Sequence, residues 1–128
     1  MNHGKHLKVM GKGIASLLGD TDRVDQFLRH LVQNLGMRML GEPVIHEVEV
    51  DISKLLAVPF EDEGGVTGTA VLSTSHVAIH TWPVRHTFVL DCFSCRDYST
   101  EVLLNALFRA FGTYSCKVVE VDCSYPDT

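Results

Sequence analysis

Little in this chain would take it to a membrane or to nucleic acid. Among its 128 residues no apolar run approaches the roughly 18 residues of a membrane span. Basic side chains are the scarcer sign, 11 Lys and Arg against 16 Asp and Glu, for a formal charge of −5. Nucleic acids and anionic membranes reward clustered Lys and Arg, so neither is an expected partner, whereas the balance suits a small cationic molecule. The opening Met1-Asn2-His3-Gly4-Lys5-His6 lacks the charged-then-apolar layout of a signal peptide. A cytoplasmic protein with its four cysteines reduced is therefore expected. Repeats, low-complexity tracts and linkers are also missing. What remains is ordinary for a globular protein, 45% hydrophobic and 21% charged, in a length that suits one domain over residues 1–128.

Periodicity supplies the elements. Residues 6–13 read as a short first strand. Asp20 or Thr21 can cap a helix running to about Leu35, because Val24, Phe27, Leu28, Leu31, Val32 and Leu35 recur at helical spacing and Gly36 fits the stop. Val44, His46, Val48, Val50 and Ile52 alternate with polar residues and read as a half-buried strand. Val66–Leu72, His76–Trp82 and Thr87–Phe93 are β-rich, with Pro83 breaking the last two apart. Ser99 or Thr100 can cap a second helix with the stripe Val102, Leu103, Ala106, Leu107, Ala110 and Phe111, ended by Gly112, and Cys116–Tyr125 looks like a last strand. Segregated runs of this kind predict an α+β two-layer sandwich, a largely antiparallel sheet with two helices on one face.

The chemistry is concentrated in Ser73-Thr74-Ser75-His76-Val77-Ala78-Ile79-His80-Thr81-Trp82-Pro83 and in Asp91-Cys92-Phe93-Ser94-Cys95. A hydroxyl, an imidazole and a thiol so close together are the pieces of nucleophilic and acid–base catalysis, although strands also carry Ser, His and Cys without catalytic purpose. Cys92-x-x-Cys95 with Cys116 and Cys123 invites a zinc reading, but the spacing of the second pair is wrong for a zinc ribbon, and no metal is expected. His86 reads as exposed and His46 as structural.

The run Ser-His-x-x-Ile-His-Thr-Trp-Pro, followed by Asp-x-Phe-Ser-Cys with its Cys twenty residues after the Ser, resembles the prokaryotic S-adenosylmethionine decarboxylases. The resemblance is close from Gly65 to Cys95, and Gly4-Lys5-His6-Leu7 echoes it at the N-terminus. It implies a proenzyme that makes its own cofactor and serves polyamine synthesis. The Ser75 hydroxyl would attack the Thr74 carbonyl, and the resulting ester would be eliminated. Hydrolysis would then leave a β chain of residues 1–74 and an α chain of residues 75–128 headed by a pyruvoyl group. By the same resemblance His80 promotes the elimination and Thr67 assists processing. The pyruvoyl group forms a Schiff base with the substrate amine, and Cys95 returns a proton to the α-carbon. A thiol suits that last role, since an ordinary pKa of about 8.5 leaves it mostly protonated near neutrality.

Ser75 and His80 are five apart, so in a regular strand they face opposite sides. Either the strand is interrupted, or the His80 serving each Ser75 belongs to a second subunit. The resemblance favours the second and implies a homodimer with sites near the subunit contact.

Three positions depart from the family pattern. Thr74 stands where the family has Glu, Thr67 where it has Ser, and Val84 where its Glu holds the ribose hydroxyls. Phe60 is the nearest candidate for the ring that stacks on adenine. Glu61-Asp62-Glu63 could instead hold a cationic side chain, so a decarboxylase of arginine or ornithine is one alternative; a solvated acidic loop is the plain reading of those acids. An uncut, non-catalytic relative that binds a ligand is another.

Overall fold

The computed structural model describes residues 4–50 and 63–127. Among these residues six strands form one antiparallel sheet: β1 Lys5–Lys12, β2 Val44–Val50, β3 Glu63–Leu72, β4 Ser75–Trp82, β5 Thr87–Ser94 and β6 Ser115–Val121. Their order is β2-β3-β4-β5-β1-β6, so the N-terminal strand lies between β5 and the last strand. Helices α1 Ala15–Leu18, α2 Thr21–Asn34 and α3 Thr100–Phe111 cover one face. The architecture is the expected two-layer α+β sandwich. The four-residue α1 is additional; it is too short to show a periodic stripe.

Each long helix starts where its sequence says. The Asp20 carboxylate accepts from the Asp22 and Arg23 amides, and the Ser99 hydroxyl accepts from the Val102 amide. Gly112, at φ 61°, turns the chain out of α3. The buried stripe of α2 (Val24, Phe27, Leu28, Leu31) and that of α3 (Leu103, Leu107, Phe111) meet Leu7, Val9, Val77, Ile79, Phe88 and Leu90 of the sheet. Each such side chain contributes about 1.5–3 kcal/mol on burial. The Phe111 ring lies 5.1 Å from Phe27 and 6.3 Å from Phe88, so α3 is locked to both α2 and β5. One backbone position has no substitute. A Cβ on Gly65, at φ 148°, would sit 1.9 Å from the Thr81 carbonyl oxygen, where β3 runs beside β4.

Two strand expectations need correction. Val44, Val48 and Val50 are not the buried half of their strand; they are exposed, Val50 to 50%, on the sheet face away from the helices, and Ile45 is the residue packed against the core. Alternation identified the residues sharing a face but not which face it was. β6 ends at Val121 rather than Tyr125, because the Asp122 carboxylate takes the Ser124 amide at 2.8 Å and replaces the ladder by a turn. Ile52 lies outside the described residues.

The face without helices is defined by register. Val44, Thr67, Ala78 and Asp91 belong to it, with Val71, His76, His80, Trp82, Val89, Phe93, His6 and Lys8.

Candidate active site

Ser75 opens β4 directly after the two-residue turn Ser73-Thr74, and it pairs with Leu72 across that turn. Thr74 carries φ 52°, a left-handed backbone that a β-branched residue adopts only under strain. The turn is held from outside, since the Ser73 amide donates to the Arg38 carbonyl and the Leu40 amide to Val71. The bond between Thr74 and Ser75 is thus flanked by a strained residue on one side and a fixed strand on the other.

The Cys95 amide donates to the Ser75 Oγ at 3.0 Å, which joins the end of β5 to the start of β4. The Cys95 thiol is exposed. Hydrogen bonds from Thr74 and then Ser75 hold its pKa below the ordinary thiol value. Cys92, by contrast, is buried, and burial pushes its thiol up to about 11. The two cysteines of the Cys-x-x-Cys run therefore have different environments. Among the described residues no group of three or more His, Cys, Asp or Glu is arranged to hold a metal ion.

Thr67 and His80 are direct cross-strand partners, and the Thr67 Oγ1 lies 3.0 Å from the His80 Nδ1. That contact fixes the ring and leaves Nε2 directed outward. β4 runs unbroken from Ser75 to Trp82, so an interruption does not bring Ser75 and His80 together. Five residues at about 3.3 Å each separate them by roughly 16 Å, on opposite faces. The structure brings together Ser75 with Cys95 and, separately, Thr67 with His80.

The substrate-binding candidates fare differently. Val84 lies in a single 3-10 turn, Pro83–Arg85, and is 70% exposed with no polar group to offer. Glu63 is 8% exposed, and both its carboxylate oxygens accept from the Arg85 Nε at 3.0 Å. The Glu63 charge, expected to face a substrate cation, is engaged by Arg85 within the chain. Phe60, Glu61 and Asp62 lie outside the described residues. His86 is exposed, and His46 lies exposed on β2 rather than in the core.

One constellation was not legible beforehand. The Asp91 carboxylate accepts from the His6 Nε2 at 2.7 Å and from the His76 Nε2 at 2.8 Å. Burial alone would raise the Asp91 pKa, but the hydrogen bonds from His76 and His6 hold it below the usual carboxylate value. The three residues come from β1, β4 and β5, and the pairings of β5 with β1 and with β4 bring them together.

Comparison with known proteins places this chain in a family. A family model described as S-adenosylmethionine decarboxylase matches residues 5–124. The S-adenosylmethionine decarboxylase proenzyme of Thermomicrobium roseum is 35% identical over 94 residues, covering 70% of this chain and 81% of that protein. The one from Acidithiobacillus ferrooxidans is 40% identical over 58 residues, 44% of each chain. The fold matches the crystal structure of the adenosylmethionine decarboxylase from Aquifex aeolicus with a TM-score of 0.74 at 16% identity, over 98% of this chain and 94% of the other. With its matched span running almost from end to end and Ser75 set beside Cys95, this chain belongs to the S-adenosylmethionine decarboxylase family.

Proposed function

We propose that the chain is a single-domain proenzyme that cuts itself between Thr74 and Ser75 and then decarboxylates S-adenosylmethionine for polyamine synthesis in the cytoplasm. The observation that carries this reading is the setting of Ser75, a hydroxyl beside a strained Thr74 peptide and 3.0 Å from the Cys95 amide. In the first step the Ser75 oxygen bonds to the Thr74 carbonyl carbon as the C–N bond breaks, and the freed nitrogen takes the proton. A base then removes the Ser75 α-proton, which expels the Thr74 carboxylate, and water releases the nitrogen as ammonia. His80, held by Thr67 with Nε2 outward, is the base.

The residues present fit a pyruvoyl group made in place, since Ser75 stands at a strand end beside a thiol and not in mid-sheet. Such a group supplies an electrophilic carbonyl that draws electrons from the bound amino acid as carbon dioxide leaves. Cys95 holds the proton that the α-carbon then receives.

His80 reaches Ser75 from a second copy. Thr67, His80 and exposed valines (Val44, Val48, Val50 and Val71) share the face that no helix covers among the described residues. Two such faces in contact would bury the valines, and a second copy is the source of the His80 that serves each Ser75. The arginine or ornithine reading loses Glu63 as a cation holder. Carbon dioxide release from carboxyl-labelled S-adenosylmethionine, arginine and ornithine tests the substrate. Release from S-adenosylmethionine is expected, and release from a basic amino acid alone would overturn it.

A further inference from the structure

Cutting before Ser75 changes what holds the reacting end of the chain. In the uncut protein Ser75 is tied on both sides, through Thr74 to the turn and through His76 to β4. After the cut the group derived from Ser75 is a chain terminus, and its only covalent support is the amide of His76. Terminal residues of a strand fray unless something anchors them. An anchor is present at that very residue. The His76 Nε2 donates to Asp91 at 2.8 Å, and the same carboxylate takes the His6 Nε2 at 2.7 Å. The His76 ring also lies 6.0 Å from Phe93 and 6.4 Å from His6, which itself sits 5.7 Å from Phe93.

We propose that Asp91, clamped by His6, is a positioning residue that pins His76 and so keeps the newly cut end of β4 in register beside Cys95. This inference rests on the self-cleaving reading above. Asp91 suits the task because it is ionised and hydrogen-bonded on both oxygens, which gives two charge-assisted bonds in a fixed geometry. Lys8 faces Asp91 across the β1–β5 pair and adds a positive charge on the same face. The clamp joins three strands at the level of the cut and adds side-chain ties to the backbone ladder there. It has no part in the cut itself, because the intact chain already holds Ser75.

The test is the Asp91→Asn variant beside the wild type, with three readouts on the full chain. Intact mass is expected to show both proteins cut at the same bond. Hydrogen exchange over residues 76–79 is expected to be at least tenfold faster in the variant, with the exchange of α2 and α3 unchanged. kcat is expected to fall about tenfold with KM changed far less, and Asp91→Glu, which keeps the charge, to recover part of both losses. If Asp91→Asn does not fold, His76→Leu is read in the same way. A cut variant whose exchange over residues 76–79 and whose kcat both match the wild type would overturn the clamp and leave the self-cleaving reading standing. A wild type that stays uncut would overturn that reading and the clamp with it.

Discussion

Ser75 and His80 stand on one unbroken strand, five residues apart and on opposite faces of the sheet. Under the proposed mechanism a single chain holds the nucleophile and its thiol on one side and the oriented base on the other, and it cannot bring them together. A second copy can supply the missing base. The mutual position of these two side chains thus connects the cutting chemistry to assembly.

Mixing two inactive variants tests that connection. His80→Ala lacks the base and Cys95→Ala lacks the proton donor, so each homodimer is inactive. Co-expressed, they form heterodimers in which one site carries both defects and the other neither. Activity is expected to reach about one quarter of the wild type for random pairing. Proven heterodimers without activity would show that each chain builds its own site.

Thr74 stores strain at the bond to be cut. A left-handed backbone costs a non-glycine residue about 1–2 kcal/mol. Thr74→Gly, measured in a Ser75→Ala background that cannot cut, is expected to raise stability by about 1 kcal/mol in denaturant unfolding. With Ser75 restored, cleavage is expected to slow about fivefold. Unchanged stability and an unchanged rate would show that the turn is relaxed.

The Cys95 thiol should titrate differently before and after the cut. Its pKa is held down in the uncut chain by hydrogen bonds from Thr74 and Ser75, so more thiolate is present at a given pH. Cutting removes the Ser75 hydroxyl and puts a carboxylate on Thr74, and both changes favour the protonated thiol. The midpoint for alkylation of Cys95, followed by peptide mass, is expected at higher pH in the cut wild type than in uncut His80→Ala. That direction suits a proton donor near neutrality. A midpoint that stays put or falls would remove the argument.

Val84 offers nothing to a ribose hydroxyl. Restoring an acceptor with Val84→Glu is expected to lower KM for S-adenosylmethionine about tenfold, the effect of one hydrogen bond to a charged group, with kcat nearly unchanged. An unchanged KM would place the ribose away from the Pro83–Arg85 turn.

How far the sequence could be read depended on how local each signal was. The starts of α2 and α3 were legible because Asp20 and Ser99 cap within three residues, and the stop at Gly112 needed only a positive φ. The odd spacing of Ser75 and His80 was legible because a strand has a period of two. What alternation could not supply was burial, so β2 was read as half-buried when its valines are exposed on the open face. The Glu63–Arg85 pair and the Asp91 clamp join residues 22 and up to 85 positions apart, and no periodic signal encodes which strands become neighbours. Asp91 stood in the motif from the start, and the registers of β5 with β1 and β4 gave it partners.

The most direct measurement is the intact mass of the purified protein under reducing, denaturing conditions. The account predicts two chains, one ending at Thr74 and one beginning at the position of Ser75 with its amino terminus blocked as a pyruvoyl group. A single chain of 14.2 kDa that persists through long incubation would contradict it.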